Sequence, residues 1–164
     1  MYKSIIGDLD KNMQIRIEPY TKERIDDVLA FEHELRRQED LWGWEIDKAY
    51  EESVRKSFAD PLYKASISFI AYVENNVVGR IDASLIPSHF DGSIKAYLDW
   101  ICVLKSYRHN GVAQALMKHL RKVLKEQYNV SVLIGLIASN KDAQSFYRNL
   151  PTSLIKDEGI WIDL

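Results

Sequence analysis

The chain has 164 residues and a mass of 19.1 kDa, which suits a single hydrophobic core, so we expect one domain over residues 1–164. Its composition, 46% hydrophobic and 28% charged, is that of a globular protein and excludes a disordered or fibrous chain. The sequence shows neither the run of ~20 apolar residues that a membrane span needs nor an N-terminal export signal, so we expect a cytoplasmic protein without membrane partners. The single cysteine, Cys102, excludes an intramolecular disulfide, and four histidines without ligand spacing make a catalytic metal unexpected.

The first third of the chain predicts one strand and two helices. Apolar and polar residues alternate at 13–19, which is typical of a half-buried strand. Apolar residues at helical spacing over 25–37 predict the first helix, for which Thr21 is a candidate N-cap. An acidic, tryptophan-bearing loop at 39–46 precedes a second helical pattern at 47–58.

The middle of the chain predicts three strands with no helix between them, which must therefore pair antiparallel. Residues 66–73 and 77–86 flank Asn75-Asn76, and asparagines tolerate the positive φ that hairpin turns require. Residues 94–103 predict the third of these strands. Its alternation predicts one face with Leu98, Trp100 and Cys102, and the other with Tyr97, Asp99, Ile101 and Val103.

The last third begins with an amphipathic helix over 111–127, followed by a nearly all-apolar segment at 130–138 that predicts a strand buried on both faces. Strand, helix and strand at this spacing imply a parallel pair with a right-handed crossover. A short helix at 140–150 and a strand at 159–163 complete the pattern. The order of elements excludes a purely doubly wound fold and predicts a mixed α/β sheet.

Charge is unevenly distributed along the chain. Residues 32–52 hold eight acidic and three basic side chains, whereas residues 105–125 hold six basic and no acidic ones. The first segment could attract a cation and the second an anion. Solvated faces of surface helices would explain both segments equally well.

The loop at 107–113 leads directly into the basic helix. A helix N-terminus offers unpaired N–H groups and the positive end of the macrodipole, and Gly111 and Ala113 let a phosphate approach the backbone. The loop matches neither a Walker sequence nor a dinucleotide fingerprint, because no Gly-Lys-Ser/Thr follows and Gly111 is its only glycine. The alternative is that Gly111 is simply a turn residue.

Two motifs separated by the predicted buried strand make the sequence resemble the GNAT superfamily of acyl-CoA-dependent N-acyltransferases. Arg108-His109-Asn110-Gly111-Val112-Ala113 matches the family's Arg/Gln-x-x-Gly-x-Gly/Ala signature. Asn140-x-x-Ala143-x-x-Phe146-Tyr147 is similar to its second motif, and Val103 occupies the position of a valine before the phosphate loop. The motifs span 99–147, and the order of elements agrees over nearly the whole chain.

The resemblance implies a GNAT-type α/β (α+β) fold, with a mostly antiparallel mixed sheet, one parallel strand pair and helices on both faces. It implies acetyl-CoA as co-substrate, with the pyrophosphate held by backbone N–H groups and the pantetheine by main-chain groups of the preceding strand. The residues expected to bind the cofactor are Ile101, Val103, Arg108, His109, Asn110, Gly111, Val112, Ala113, Asn140 and Phe146.

The same resemblance assigns catalytic roles to Tyr147 and Asp99. Tyr147 would protonate the departing thiolate, and a phenol with a pKa near ~10 is chemically suited to that step. Asp99 would serve as base toward the amine, directly or through water. Each has a structural alternative: Tyr147 as a packing aromatic beside Phe146, and Asp99 as a member of a salt bridge. Cys102 is expected in the core, not as a nucleophile.

The expected acceptor is a primary amine, either a cationic small molecule such as a polyamine or aminoglycoside or a peptide amine. Trp42, Trp44 and Tyr97 are expected to contact it, because aromatic faces and carboxylates suit a cation. A non-catalytic CoA-binding module of the same fold is the alternative. A nucleic-acid partner is not expected, because no aromatic residues lie between the basic side chains of the helix. A homodimer is compatible with the sequence.

The sequence departs from the family at Pro151-Thr152, where Gly-Phe is common, and at Lys105, where proline is frequent.

Overall fold

A single mixed sheet organises the protein, for which a computed structural model describes residues 13–39, 45–136 and 141–151. Its strands lie in the order β1-β2-β3-β4-β5. They are β1 (Ile15–Pro19), β2 (Ser66–Val73), β3 (Asn76–Pro87), β4 (Ile94–Val103) and β5 (Leu133–Gly135). The helices are α1 (Ile25–Gln38), α2 (Lys48–Ser57), α3 (Val112–Tyr128) and α4 (Lys141–Arg148). The pairs from β1 to β4 are antiparallel and β4–β5 is parallel, so the predicted mixed fold is confirmed.

Consecutive residues of β3 show that helices cover both faces of the sheet. A Cβ placed on Gly79 would lie 3.0 Å from Cγ1 of Val112 and 3.1 Å from Cδ1 of Leu116, so α3 packs closely on that face. The next residue, Arg80, bonds to Glu32 of α1 on the opposite face. Fully buried leucines such as Leu116 contribute about 1.5–3 kcal/mol each to folding, and the α3 stripe predicted from the sequence supplies several of them.

One of the two predicted helix N-caps, that of α2, is present in the structure. The side chain of Asp47 accepts a hydrogen bond from the Tyr50 N–H at 2.8 Å, so the predicted start of α2 is confirmed. Thr21 was predicted to cap α1, but its side chain caps nothing. The chain enters α1 through a 3₁₀ turn at Lys22–Arg24, and the Thr21 carbonyl accepts from the Arg24 N–H at 2.9 Å instead.

The β2–β3 hairpin turns one residue earlier than predicted. Asn76 belongs to β3 and pairs with Val73, so the two turn residues are Glu74 and Asn75, and Glu74 has the positive φ of 55°. The register shifts at Val78, which has no opposite residue on β2. This β-bulge supplies the extra residue that moves the turn.

The last described strand differs most from its prediction. The parallel pairing with β4 is confirmed, but β5 has three residues where nine were predicted. This segment is not buried on both faces, because Val132, Ile134 and Leu136 are each more than two-fifths exposed. Residues 137 and 138 of the predicted strand lie outside the described residues. The strand predicted at 159–163 lies outside those residues.

No helix within residues 13–39, 45–136 and 141–151 combines the length and apolar character that crossing a bilayer requires.

Candidate active site

A β-bulge at Asp99 breaks the alternation of β4. Trp100 pairs with Asp82 of β3 and Leu98 pairs with Ala83, so Asp99 has no opposite residue. The prediction of unbroken faces is therefore wrong. The α3 face carries Leu98, Ile101 and Val103, and the α1 face carries Tyr97, Asp99, Trp100 and Cys102.

The bulge directly follows the described part of the β4–β5 pairing. Within the described chain, β5 pairs with β4 at Ala96, Tyr97 and Leu98. Residues 99–103 of β4 then lead to the loop before α3. They include Ile101 and Val103, whose main-chain groups are predicted to bind pantetheine.

The loop after β4 has two residues in the left-handed conformation. His109 has a φ of 63° and Gly111 a φ of 82°, with Asn110 between them. The Asn110 side-chain amide donates to the Arg108 carbonyl at 2.9 Å and braces the turn. Successive N–H groups in such a turn form a concavity that suits an anion.

The same loop leads directly into the N-terminus of α3. The first bond of that helix runs from the Ala115 N–H to the Gly111 carbonyl at 2.9 Å. The amides of Val112, Ala113 and Gln114 therefore precede the helical ladder. Together with the macrodipole, they provide the donors that a pyrophosphate needs.

The Arg108 side chain does not lie over this concavity. Its Nη1 donates to Glu39 Oε1 at 2.9 Å, its Nη2 donates to Glu39 Oε2, and its Nε donates to the Val103 carbonyl at 3.2 Å. Sequence analysis missed this pair, because the two residues are 69 positions apart.

Burial lowers the pKa of Arg108, but the hydrogen bonds and charge of Glu39 outweigh it and raise the pKa, with a smaller contribution from the charge of Asp142 in α4. Tyr147 and Phe146 pack against the core, their rings 5.3 Å apart and edge to face. Burial raises the pKa of Tyr147, so its phenol is protonated at neutral pH and can donate a proton. Asn140 lies outside the described residues.

Asp99 is exposed, and its Oδ2 accepts a hydrogen bond from Ser84 Oγ at 2.7 Å. Ser84 pairs with Tyr97 across the strands, so the three residues lie together on the α1 face. Among the described residues, no cation lies within ion-pair distance of Asp99; its partner is a hydroxyl. An exposed carboxylate with one donor is accessible to water and to an incoming amine.

The comparisons with known proteins agree with this geometry. The model of the acetyltransferase (GNAT) family matches residues 18–150. The chain belongs to this family. The resemblance inferred from the motifs is thereby confirmed, and the protein is an acetyltransferase of the GNAT family. No curated protein matches the sequence.

Solved structures share the GNAT fold at low identity. An aminoglycoside acetyltransferase from an uncultured soil metagenomic sample, in complex with sisomicin, has a TM-score of 0.76 at 15% identity, covering 92% of this chain and 96% of its own. A ribosomal-protein-alanine N-acetyltransferase from Brucella melitensis biovar Abortus 2308 has a TM-score of 0.71 at 17% identity, covering 92% and 99%. AAC(6')-Iy with the bisubstrate analog CoA-S-monomethyl-acetylneamine has a TM-score of 0.72 at 19% identity, covering 92% and 98%. At these identities the likeness concerns the fold.

A buried polar cluster underlies the α1 face of this GNAT sheet, and sequence analysis missed it. Arg80 Nη1 donates to Glu32 Oε1 at 2.8 Å, and its Nε and Nη2 donate to Asp82 Oδ1 at 3.0 and 2.9 Å. Tyr50 Oη donates to Glu32 at 2.9 Å and Ser68 Oγ donates to Asp82 at 2.5 Å. Burial raises the pKa of Glu32, while the Arg80 charge opposes that shift.

Aromatic rings complete the cluster. The Arg80 guanidinium carbon lies 4.7 Å from the centroid of the Tyr20 ring and 5.6 Å from that of Trp100. Tyr20 also meets Phe58, at the end of α2, edge to face at 4.9 Å. The cluster therefore ties α1, α2 and the sheet together on the face where Asp99 lies.

The acidic segment proves to be largely engaged in internal contacts. Glu32 binds Arg80, Glu34 binds Arg37, Glu39 binds Arg108, and Asp47 caps α2. Glu32 and Glu39 fit neither cation attraction nor a solvated face, whereas Glu34 and the exposed Asp47 are consistent with solvated helix faces. Of the other acids, Glu45 is exposed and Glu51 partly exposed. Asp40, Trp42 and Trp44 lie outside the described residues.

Two further sequence predictions concern cysteine and metal. Cys102 is buried beneath α1, and burial raises the pKa of its thiol to about 12, so it is a core residue with no thiolate character at neutral pH. In the described ranges, no group of three or more His, Cys, Asp or Glu side chains is arranged to hold a metal ion.

Proposed function

We propose that this protein is an N-acetyltransferase that transfers the acetyl group of acetyl-CoA to a primary amine by direct attack in a ternary complex. The observation that carries the proposal is the phosphate loop, whose left-handed turn leads from β4 directly into the N-terminus of α3. The amides at the start of α3 suit a pyrophosphate, and the main chain of β4 before the loop is assigned to the extended pantetheine arm. The proposal takes the chain as one cytoplasmic domain.

In the proposed reaction, the amine nitrogen attacks the thioester carbonyl, the C–S bond breaks, and the sulfur leaves as a thiolate that must be protonated. Tyr147 supplies that proton, because its phenol is protonated at neutral pH. Asp99 accepts the proton of the amine, through water where the distance requires it, with Ser84 orienting the carboxylate. Cofactor contacts are assigned to Ile101, Val103, Arg108, His109, Asn110, Gly111, Val112, Ala113, Asn140 and Phe146.

The proposed acceptor is a cationic amine, with an aminoglycoside- or polyamine-like molecule as the first candidate. Aminoglycoside acetyltransferases among the structures of the same fold support this class, and a ribosomal-protein-alanine N-acetyltransferase supports a peptide amine as the second. Tyr97, beside Asp99 on the α1 face, is assigned to acceptor contact together with Trp42 and Trp44. A homodimer is compatible with this assignment.

Two measurements test the proposal. Acetyl-CoA at ~100 times its dissociation constant should stabilise the fold by about 2.7 kcal/mol, a melting shift of roughly 5–10 °C. A panel of aminoglycosides, polyamines, peptides and neutral amines, assayed for release of free CoA, then identifies the acceptor. Absence of a melting shift would refute the cofactor assignment. A shift without turnover on any amine would favour the non-catalytic CoA-binding module.

A further inference from the structure

The arginine of the phosphate loop is bound by the end of α1. Each guanidinium nitrogen of Arg108 has a partner: both Nη atoms bind the Glu39 carboxylate and Nε binds the Val103 carbonyl. A bidentate arginine–carboxylate pair combines two charge-assisted hydrogen bonds, each stronger than a bond between neutral groups. The Glu39 side chain is only 13% exposed and that of Arg108 29%, so solvent weakens the pair less than it would on an open surface.

A second contact joins the same two segments. The Gln38 side chain donates from Nε2 to Ser106 Oγ at 3.1 Å and accepts from the Ser106 N–H at 3.1 Å. Two consecutive residues at the end of α1 thus hold the loop at two points, Ser106 and Arg108. Together these contacts fix the segment that leads into the two left-handed residues and the N-terminus of α3.

We propose that Glu39 is a positioning residue for the phosphate loop. By holding Arg108 against the end of α1, it fixes the loop in the conformation in which the backbone amides, and not the guanidinium, receive the cofactor phosphates. Preorganisation of this kind raises affinity by removing the entropic cost of ordering the loop at the moment of binding. The inference rests on the proposed function, because it concerns binding of acetyl-CoA.

The competing arrangement has Arg108 leave Glu39 and contact the phosphates itself. The two arrangements predict opposite effects of removing the Glu39 charge. If Glu39 positions the loop, Glu39→Gln weakens cofactor binding. If Glu39 merely competes with the cofactor for Arg108, Glu39→Gln releases a cation toward the phosphates and binding stays the same or tightens.

The experiment measures acetyl-CoA affinity by calorimetry for wild type, Glu39→Gln, Arg108→Gln and the double variant. We expect each single variant to bind about tenfold more weakly, corresponding to ~1.4 kcal/mol, and the double variant to bind no more weakly than either. Turnover at saturating acetyl-CoA should change far less than KM for acetyl-CoA. Glu23→Gln, which removes an exposed carboxylate beside Lys22, is the matched control and should bind as wild type.

Gln38→Ala loosens the same contact without changing charge, and it should weaken binding several-fold even if Glu39→Gln fails to fold. Equal or tighter binding by Glu39→Gln, or additive losses in the double variant, would overturn the inference. Its failure is separable from that of the proposed function. Should wild type itself not bind acetyl-CoA, both fail, whereas normal binding by wild type and by a folded Glu39→Gln variant refutes only the role of Glu39.

Discussion

The cofactor region and the α1 face of this GNAT protein are built by different means. In the cofactor region, the important features are main-chain ones: the left-handed turn at Gly111 and the amides at the start of α3. On the α1 face they are side-chain contacts, centred on the bonds of Arg80 to Glu32 and Asp82.

This difference determines what each region tolerates and what it can recognise. A main-chain site depends on backbone conformation, so most side chains in the loop can vary, whereas a side chain at Gly111 would add backbone strain. A side-chain cluster depends on matched partners, and losing one leaves another buried without compensation. Substitutions in the two regions should therefore fail in different ways.

The largest expected effect is on catalysis. Tyr147→Phe removes the hydroxyl that we assign as proton donor and keeps the ring that packs beside Phe146. Loss of a general acid typically costs ~10²–10⁴-fold in rate, so kcat should fall by that amount with KM for acetyl-CoA little changed. Steady-state and single-turnover kinetics on the best amine measure both values.

Tyr128→Phe is the control for this substitution, because Tyr128 is an exposed tyrosine at the end of α3. It should leave kcat unchanged. Full kcat in Tyr147→Phe, with the chemical step rate-limiting, would mean that another group or water protonates the thiolate.

The next effect is on stability and concerns the α1 face. Glu32→Ala removes one of the two carboxylates that bind Arg80, whose side chain is 17% exposed. Breaking a buried ion pair costs about 3–5 kcal/mol, and we expect the lower end because Asp82 remains. Urea unfolding measures the loss, and Glu52→Ala, at an exposed i,i+4 pair with Lys56, should cost under about 1 kcal/mol.

The pH dependence of stability gives a second test of Glu32. Burial raises the pKa of Glu32, so the stability it contributes is fully present below the ordinary carboxyl pKa of 4.5 and declines as the pH rises through the folded-state value. Relative to Glu32→Gln, which does not titrate, the wild type should therefore lose stability as the pH increases above 4.5. A difference that grows in favour of wild type with rising pH would contradict the assigned direction.

A smaller effect distinguishes the cofactor loop from an ordinary turn. Gly111 and Gly92 have φ values of 82° and 68°, and a Cβ on either would meet no atom within 4 Å. Alanine at each should therefore cost a similar ~1–2 kcal/mol of backbone strain. Only Gly111→Ala should also reduce the melting shift produced by acetyl-CoA. If both variants keep the full shift, the turn at Gly111 has no role in cofactor binding.

Sequence analysis correctly predicted the features that depend on residues close together in the chain. Periodicity located β4 and α3, and the motif ending in Ala113 identified the loop, because a glycine before a basic helix is a local requirement of the turn. The hairpin turn, in contrast, was misplaced by one residue and the faces of β4 were wrong. Both errors have one cause, since each β-bulge inserts a residue whose presence depends on the partner strand.

The polar contacts could not be predicted because they join distant parts of the chain. Arg80 and Glu32 are 48 residues apart, and Arg108 and Glu39 are 69 apart. In the sequence these acids formed one negative segment, and only the fold shows that several have individual arginine partners. Charge counted along a sequence therefore overstates the field that a ligand meets, because paired charges largely cancel.

The smallest expected effect tests what remains of that field. Glu45 and Glu51 belong to the acidic segment, and neither is ion-paired with another described residue. If they attract a cationic amine, the double variant Glu45→Gln/Glu51→Gln should raise KM for the amine roughly two- to fivefold at low salt, as expected for exposed charges worth up to ~1 kcal/mol. The increase should fade near 1 M salt, where the Debye length falls to about 3 Å, and KM for acetyl-CoA should stay constant.

Glu23→Gln/Glu126→Gln removes the same net charge away from this segment and should leave the amine KM unchanged. Equal effects of the two double variants would assign the attraction to the overall charge of the protein, and no effect of either would leave acceptor recognition to the α1 face around Asp99.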